Sequence, residues 1–249
     1  MDMPTITLLG FCVAVAVFGV GTGRLGLGIA VLAAPALSLI LHHNMAVVLP
    51  LSLALNAATC VTAAVFFAPH NRSTWRHALD LTAITAVLSP FGAYASRSVP
   101  DYVIWYVYLG AMLFLVGHLL RPPRGHALPR VNWVILYLGA VPAGLVGGFT
   151  GIGPGFALMP GLVVAGMDPR QAAGTAALAG ILPSLTALIP LWTGPTWDSA
   201  SPIPMFVAAI VGTTVGAWFT LRFDVGLRWQ RAFAGFIAVF ALVHFFTIR

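Results

Sequence analysis

Long apolar runs alternate with short polar ones along the whole chain. The apolar stretches cover residues 5–41, 44–68, 78–96, 103–120, 131–166, 172–192, 203–221 and 231–248. Most have the length and composition of a single membrane-spanning helix. The first and fifth are too long for that. A straight helix of about 36 residues would reach about 54 Å, against a hydrocarbon core of about 30 Å. Both are interrupted by glycines, at 19–28 and 144–155. Each is therefore expected to be two short helices joined by a turn.

Composition agrees with this pattern. Of the 249 residues, 59% are hydrophobic and 7% charged, with a mean hydropathy of +0.96. A soluble domain carries about 25% charged residues. This chain could not cover a water-facing surface, so a cytosolic enzyme, a nucleic-acid binder and a disordered scaffold are excluded. An all-α polytopic membrane protein with room for eight to ten spans remains. All 12 basic residues are Arg and all six acids are Asp, giving a net charge of +6. In a membrane protein this excess reads as positive-inside loop bias. Cys12 and Cys60 lie in apolar stretches, so neither a disulfide framework nor a CxxC metal site is indicated, and no cofactor is implied. The opening MDMPTITLLG lacks the basic segment of a signal peptide, so its apolar run is expected to be retained.

The two overlong stretches resemble each other. Gly26-Leu27-Gly28 followed by Pro35-Ala36-Leu37 aligns, 125 positions on, with Gly151-Ile152-Gly153 followed by Pro160-Gly161-Leu162. At the same offset Leu53-Ala54 falls on Leu178-Ala179 and Gly110 on Gly235, and at 124 Gly92-Ala93-Tyr94 falls on Gly216-Ala217-Trp218. The order of these matches points to a duplication, with repeats 1–124 and 125–249 in one membrane domain.

Arginine placement tests how the repeats are oriented. Arg72 and Arg76 mark 69–77 as cytoplasmic, Arg121, Arg124 and Arg130 mark 121–130, and Arg222, Arg228 and Arg231 mark 222–231. The segment 193–202, the repeat partner of 69–77, holds only Asp198 and reads as external. Equivalent loops on opposite faces imply inverted repeats. The crossings agree only if 131–166 and 5–41 are hairpins returning to their own sides, with both termini external. Each half would then hold a glycine-broken hairpin and three spanning helices. Eight simple spans is the competing arrangement. Trp75, Trp105, Trp133, Trp192, Trp218 and Trp229 near predicted span ends form an expected aromatic belt.

The glycine interruptions are where chemistry is expected. Irregular backbone at membrane depth is tolerated where protein buries it or where it lines a wet cavity. Broken helices facing one another across an inverted repeat build secondary-transporter sites, and the free N–H groups and dipole of the second arm would favour an anion. Candidate substrate contacts are Thr22, Gly23, Gly26 and Gly28 in the first turn and Thr150, Gly151, Gly153 and Gly155 in the second. The competing reading is that these glycines only let helices pack closely. Arg24, inside the first turn, is the candidate cation, since its planar fork suits an oxyanion; alternatively it snorkels to an interface. Ser52, Asn56 and Thr59, spaced i, i+4, i+7, would share one helix face, with Thr175 and Ser184 in the corresponding stretch. These hydroxyls and amides could equally join helices to one another. His118, His244 and Asp80 read as boundary residues.

The stretch GFTGIGPGFALMPGLVVAGMDPRQAAGTAALAGILPS resembles the signature half-repeat of the sulfite exporter TauE/SafE family, also called the toluene sulfonate uptake family. GAYASRSVPDYVIWYVYLGAMLFLVGHLLR resembles its later stretch. The first half departs from the pattern, because GTGRLGLGIAVLAAP carries Arg24 and a thinner glycine run. The resemblance covers essentially the whole chain. It implies an inner-membrane transporter of sulfite or small organosulfonates, partnered by a small anion and the lipid bilayer. No HExxH or convergent acid cluster supports an enzyme, and the short polar loops do not suggest a scaffold. Without a carboxylate deep in any predicted span, export or electrogenic facilitation is favoured over proton-coupled uptake.

Overall fold

In the computed structural model, residues 5–40, 44–68, 75–120, 133–192, 203–223 and 227–247 are described. They form ten α-helices and no strand. The first five are α1 (Thr5–Leu25), α2 (Ala30–Ile40), α3 (Met45–Phe67), α4 (Trp75–Ser96) and α5 (Asp101–Leu119). The remainder are α6 (Trp133–Thr150), α7 (Gly155–Val164), α8 (Pro169–Leu191), α9 (Ile203–Arg222) and α10 (Leu227–Thr247). Of these, α3, α4, α5, α8 and α9 are long and apolar enough to cross a membrane. The basic segment 121–130, the segment 193–202 with Asp198, and Arg72 lie outside the described residues, as do the side chains of Arg228, Trp229 and His244.

Both overlong stretches break where the glycines fall. Leu25 ends α1, and Gly26 takes φ +65° and Gly28 φ +74°. A side chain strongly disfavours this left-handed region. The N–H of Leu27 then closes on the carbonyl of Thr22 at 3.2 Å, the closure of a Schellman cap. The second break repeats the backbone form, with Gly151 at φ +72° and Gly153 at φ +74°. Its closure is one residue wider, from the N–H of Gly153 to the carbonyl of Gly147 at 3.1 Å. The arms that follow, α2 and α7, have 11 and 10 residues. At about 1.5 Å per residue neither can cross a bilayer.

Contacts between helices fix their relative directions. Gly19 and Gly23 of α1 meet Ala209 and Thr213 of α9, and Gly212 and Gly216 of α9 meet Ala16 and Val20 of α1, so this pair is parallel. The α4–α6 pair is also parallel: Gly144 and Gly148 meet Thr85 and Ser89, and Gly92 meets Leu145. The two seams use corresponding residues. Gly19, Gly23 and Val20 stand 125 positions before Gly144, Gly148 and Leu145, and Thr85, Ser89 and Gly92 stand 124 before Ala209, Thr213 and Gly216. At each of these glycines a Cβ would press on facing backbone, so the helices touch main chain to main chain. Between the seams α3 and α8 run antiparallel, with Asn56 against Ser184, Cys60 against Gly180, and Phe67 clustered with Ala173 and Ala177.

Local chemistry explains several helix starts. Asp168 caps α8 by accepting from the N–H of Arg170 at 2.9 Å, with Pro169 in the first turn. Asp101 places negative charge in the first turn of α5. Where α4 and α6 begin, His77 stacks on Trp133 with ring centroids 3.5 Å apart. The Tyr137 hydroxyl donates to Asp80 at 3.0 Å and lies 2.8 Å from His77 Nδ1. Trp75, Trp192 and Trp218 are exposed near helix ends, whereas Trp105 is buried edge-on to Tyr108 and takes no part in a belt.

Candidate functional site

The centre of the bundle is built around one amide. Asn56 lies midway along α3 and is fully buried. Its Oδ1 accepts from the N–H of Ala30, the first residue of α2, at 3.4 Å. Its Nδ2 donates to Ser184 Oγ on α8 at 2.9 Å. A side chain on Gly28 would strike Oδ1, and one on Gly153 would strike Nδ2. The two glycine turns therefore close on opposite edges of the same amide. They also touch directly, since a Cβ on Gly155 would come within 2.8 Å of the Leu27 carbonyl.

Hydroxyls complete this layer. Ser52 donates to the carbonyl of Gly151 at 2.8 Å. Thr59 accepts from the N–H of Ile29 at 3.3 Å while donating to the carbonyl of Leu55 at 2.9 Å. Ser184 donates to the carbonyl of Gly180 at 2.7 Å. The face predicted from the i, i+4, i+7 spacing thus exists, and its members divide the work. Ser52 holds the second turn and Thr59 the first, while Asn56 bonds the first turn, packs against the second and ties α3 to α8 through Ser184.

The two turns differ in what they leave free. At the first, the N–H groups of Ile29 and Ala30 are already held by Thr59 and Asn56. In the second, Pro154 stands where Ile29 stands in the first, so that donor is missing. Ser184, the counterpart of Thr59, accepts from Asn56 instead. Gly155 and Phe156 follow in the first turn of α7, where helix geometry provides no partner for their N–H groups. Among the described residues, the side-chain ties to backbone N–H groups at the first turn are thus not repeated at the second.

The remaining candidates sit apart from this layer. Thr22 donates back along α1 to the carbonyl of Phe18 at 2.9 Å, and Gly23 packs on Thr213 in the α1–α9 seam. Gly26 abuts the Ala173 carbonyl on α8. Thr150 donates to the carbonyl of Val146 at 2.7 Å, and Thr175 faces Met167 Sδ at 3.8 Å. Arg24 lies on the last turn of α1. Its guanidinium carbon is 5.9 Å from the Phe219 ring, and its carbonyl accepts from Thr220 at 3.1 Å. This places it beside the C-terminal end of α9, two residues before the first turn. Two central neighbours were not singled out by sequence. Cys60 is buried between Gly28 and Gly180, and the Tyr108 hydroxyl on α5 donates to the carbonyl of Val31 on α2 at 2.6 Å. A lone Tyr or Cys in an apolar run carries no periodic signal.

Among the described residues no group of three His, Cys, Asp or Glu could hold a metal ion. The described carboxylates Asp80, Asp101 and Asp168 all lie at or near helix starts. Comparison with protein families matches residues 11–243 to the family described as sulfite exporter TauE/SafE. No curated protein matches the chain.

Proposed function

This chain belongs to the sulfite exporter TauE/SafE family, and from that premise we propose that it is a secondary transporter moving sulfite or a small organosulfonate across the bacterial inner membrane. The observation that carries the reading is the convergence of two positive-φ glycine turns on Asn56. Two half-length helices that begin at a shared polar layer, inside an otherwise apolar bundle, are the build expected of a midplane anion site.

In this reading the halves 1–124 and 125–249 are inverted copies with both termini external. Antiparallel α3 and α8, flanked by two seams of corresponding residues, support it. The anion sits between the turns, against the N–H groups of Gly155 and Phe156 and the Asn56 amide. Gly26, Gly28, Gly151 and Gly153 shape the backbone there, while Ser52, Thr59 and Ser184 hold it in place. Arg24, with Gly23 setting its helix against α9, supplies positive charge on the approach to the first turn; Thr22 and Thr150 bond back along the helices that lead into the two turns, and Thr175 faces Met167. Inversion lets the layer be reached from either face by rocking the seams.

Direction follows from charge. Moving one negative charge out of a cell is favoured by about 2.3 kcal/mol per 100 mV. The described carboxylates lie at helix starts, which supports export or electrogenic facilitation over proton-coupled uptake. The test is flux of radiolabelled sulfite and ethanesulfonate in proteoliposomes. Wild-type protein should carry at least one of them, and Asn56→Leu, if still folded, should not. Equal flux in Asn56→Leu would place the site elsewhere.

A further inference from the structure

Five of the six described arginines with a placed side chain lie at one end of the bundle. Arg24 and Arg222 stand at the adjacent ends of α1 and α9, and Arg231 follows on α10. Arg170 starts α8 beside Gly26, and Arg76 starts α4 after α3 has ended against Ala173. Arg97 is at the opposite end, just after α4. Arginine is depleted at the non-cytoplasmic ends of spans, so one placed there needs its own reason.

The reason lies in what Arg97 lines. Arg97, Ser96 and Asp101 border a cavity of about 240 Å³ whose other walls include Met45, Leu49 and Leu191. One side chain, Leu49, separates it from the polar layer: a Cβ on Gly151 would meet Leu49 at 2.8 Å, and Gly151 is the residue held by Ser52. Arg97 Nη1 donates to the Pro190 carbonyl at 2.7 Å, which anchors the guanidinium and spends one of its five N–H groups. Asp101 contributes the opposite charge. No ion pair joins it to Arg97 among the described residues, so a cation and an anion border one small cavity without pairing with each other.

A bare oxyanion would gain from Arg97 and lose to Asp101. A solute with an oxyanion at one end and an ammonium at the other would satisfy both. The volume is below the roughly 300–1,000 Å³ of drug-sized sites, which suits a solute of a few carbons. We infer that this outer mouth is a recognition site for a short amino-alkanesulfonate, with the sulfonate on Arg97 and the ammonium on Asp101. The inference rests on the sulfonate-transport reading and specifies its substrate class.

Calorimetry on the protein in nanodiscs tests it with sulfite, ethanesulfonate and 2-aminoethanesulfonate. The last two differ at the terminal carbon, so their ratio isolates the ammonium. The aminosulfonate should bind about five- to tenfold more tightly than ethanesulfonate, the range expected of one partly exposed charged hydrogen bond. Asp101→Asn should erase that preference, and ethanesulfonate should bind the variant as tightly as the wild type or more tightly, because the repelling carboxylate is gone. Arg97→Gln, checked to melt like the wild type, should weaken both sulfonates, and Arg97→Lys should restore part of the loss; unchanged sulfonate binding in Arg97→Gln overturns the inference. Equal binding of the two sulfonates, or a preference that survives Asp101→Asn, overturns the inference and leaves the transport reading standing. Failure of all three solutes to bind the wild type overturns both.

Discussion

At the scale of single residues, Asn56 is the most consequential position. It is buried, it bridges two halves of the chain, and both ends of its amide are occupied. Asn56→Leu would strand the Ala30 N–H and remove the donor to Ser184. Leaving a buried donor unpaired costs about 1–3 kcal/mol, so a loss of melting temperature together with loss of flux is the expected result. Asn56→Asp keeps the acceptor for Ala30 but puts negative charge where the substrate would sit; binding should fall more steeply than stability, as calorimetry and thermal melts on the same sample would show. The polar face holding Ser52, Asn56 and Thr59 was legible in the sequence because helical spacing is local information. Its partner Ser184, 128 positions away, was legible as a polar residue and not as the group opposite Asn56. Spacing along one helix says nothing about which helix faces it. For the same reason Gly23 reads as a turn residue, whereas the chain uses it to seat α1 against α9.

Among elements, glycines separate into those that seal a seam and those that face open space. Gly92 and Gly216 meet carbonyls of Leu145 and Val20, and a side chain at either must push two helices apart. Gly110 and Gly235, 125 positions apart, have nothing within 4 Å of a Cβ. Gly216→Leu should therefore destabilise by about 1–3 kcal/mol or more, the usual cost of overpacking. Gly110→Leu should be neutral within about 0.5 kcal/mol. Melting temperatures in one detergent decide this, and equal effects would mean the seam is not as close as described. A second clamp joins the starts of α4 and α6 through Tyr137, Asp80 and His77. Tyr137→Phe should cost about 1 kcal/mol, the net worth of a typical hydrogen bond. The glycine breaks themselves were legible because length forbids a single span, and the positive φ angles fall at the repeated Gly-x-Gly. The seams were not. A glycine in an apolar run looks the same whether it meets a backbone or lipid.

At the scale of the whole molecule, the account is a membrane bundle whose two halves bring broken helices to one polar layer. The family match spans nearly the full chain, so the resemblance and the helical architecture agree. Scarcity of charge, first a sign of the membrane, becomes a statement about energetics. A carrier with its described carboxylates at helix starts has no evident proton relay among them. The inverted arrangement predicts that Arg76→Cys at the start of α4 and Ile203→Cys at the start of the corresponding helix α9 react with an impermeant thiol reagent from opposite faces of oriented vesicles. Labelling from one face would contradict it.

The most direct test imposes a membrane potential on proteoliposomes loaded with sulfite or ethanesulfonate, with pH equal on both sides. An inside-negative potassium–valinomycin potential should accelerate anion efflux, reversal of the potential should slow it, and a proton ionophore should leave the rate unchanged. Flux that ignores the potential and appears only with a proton gradient would contradict the account.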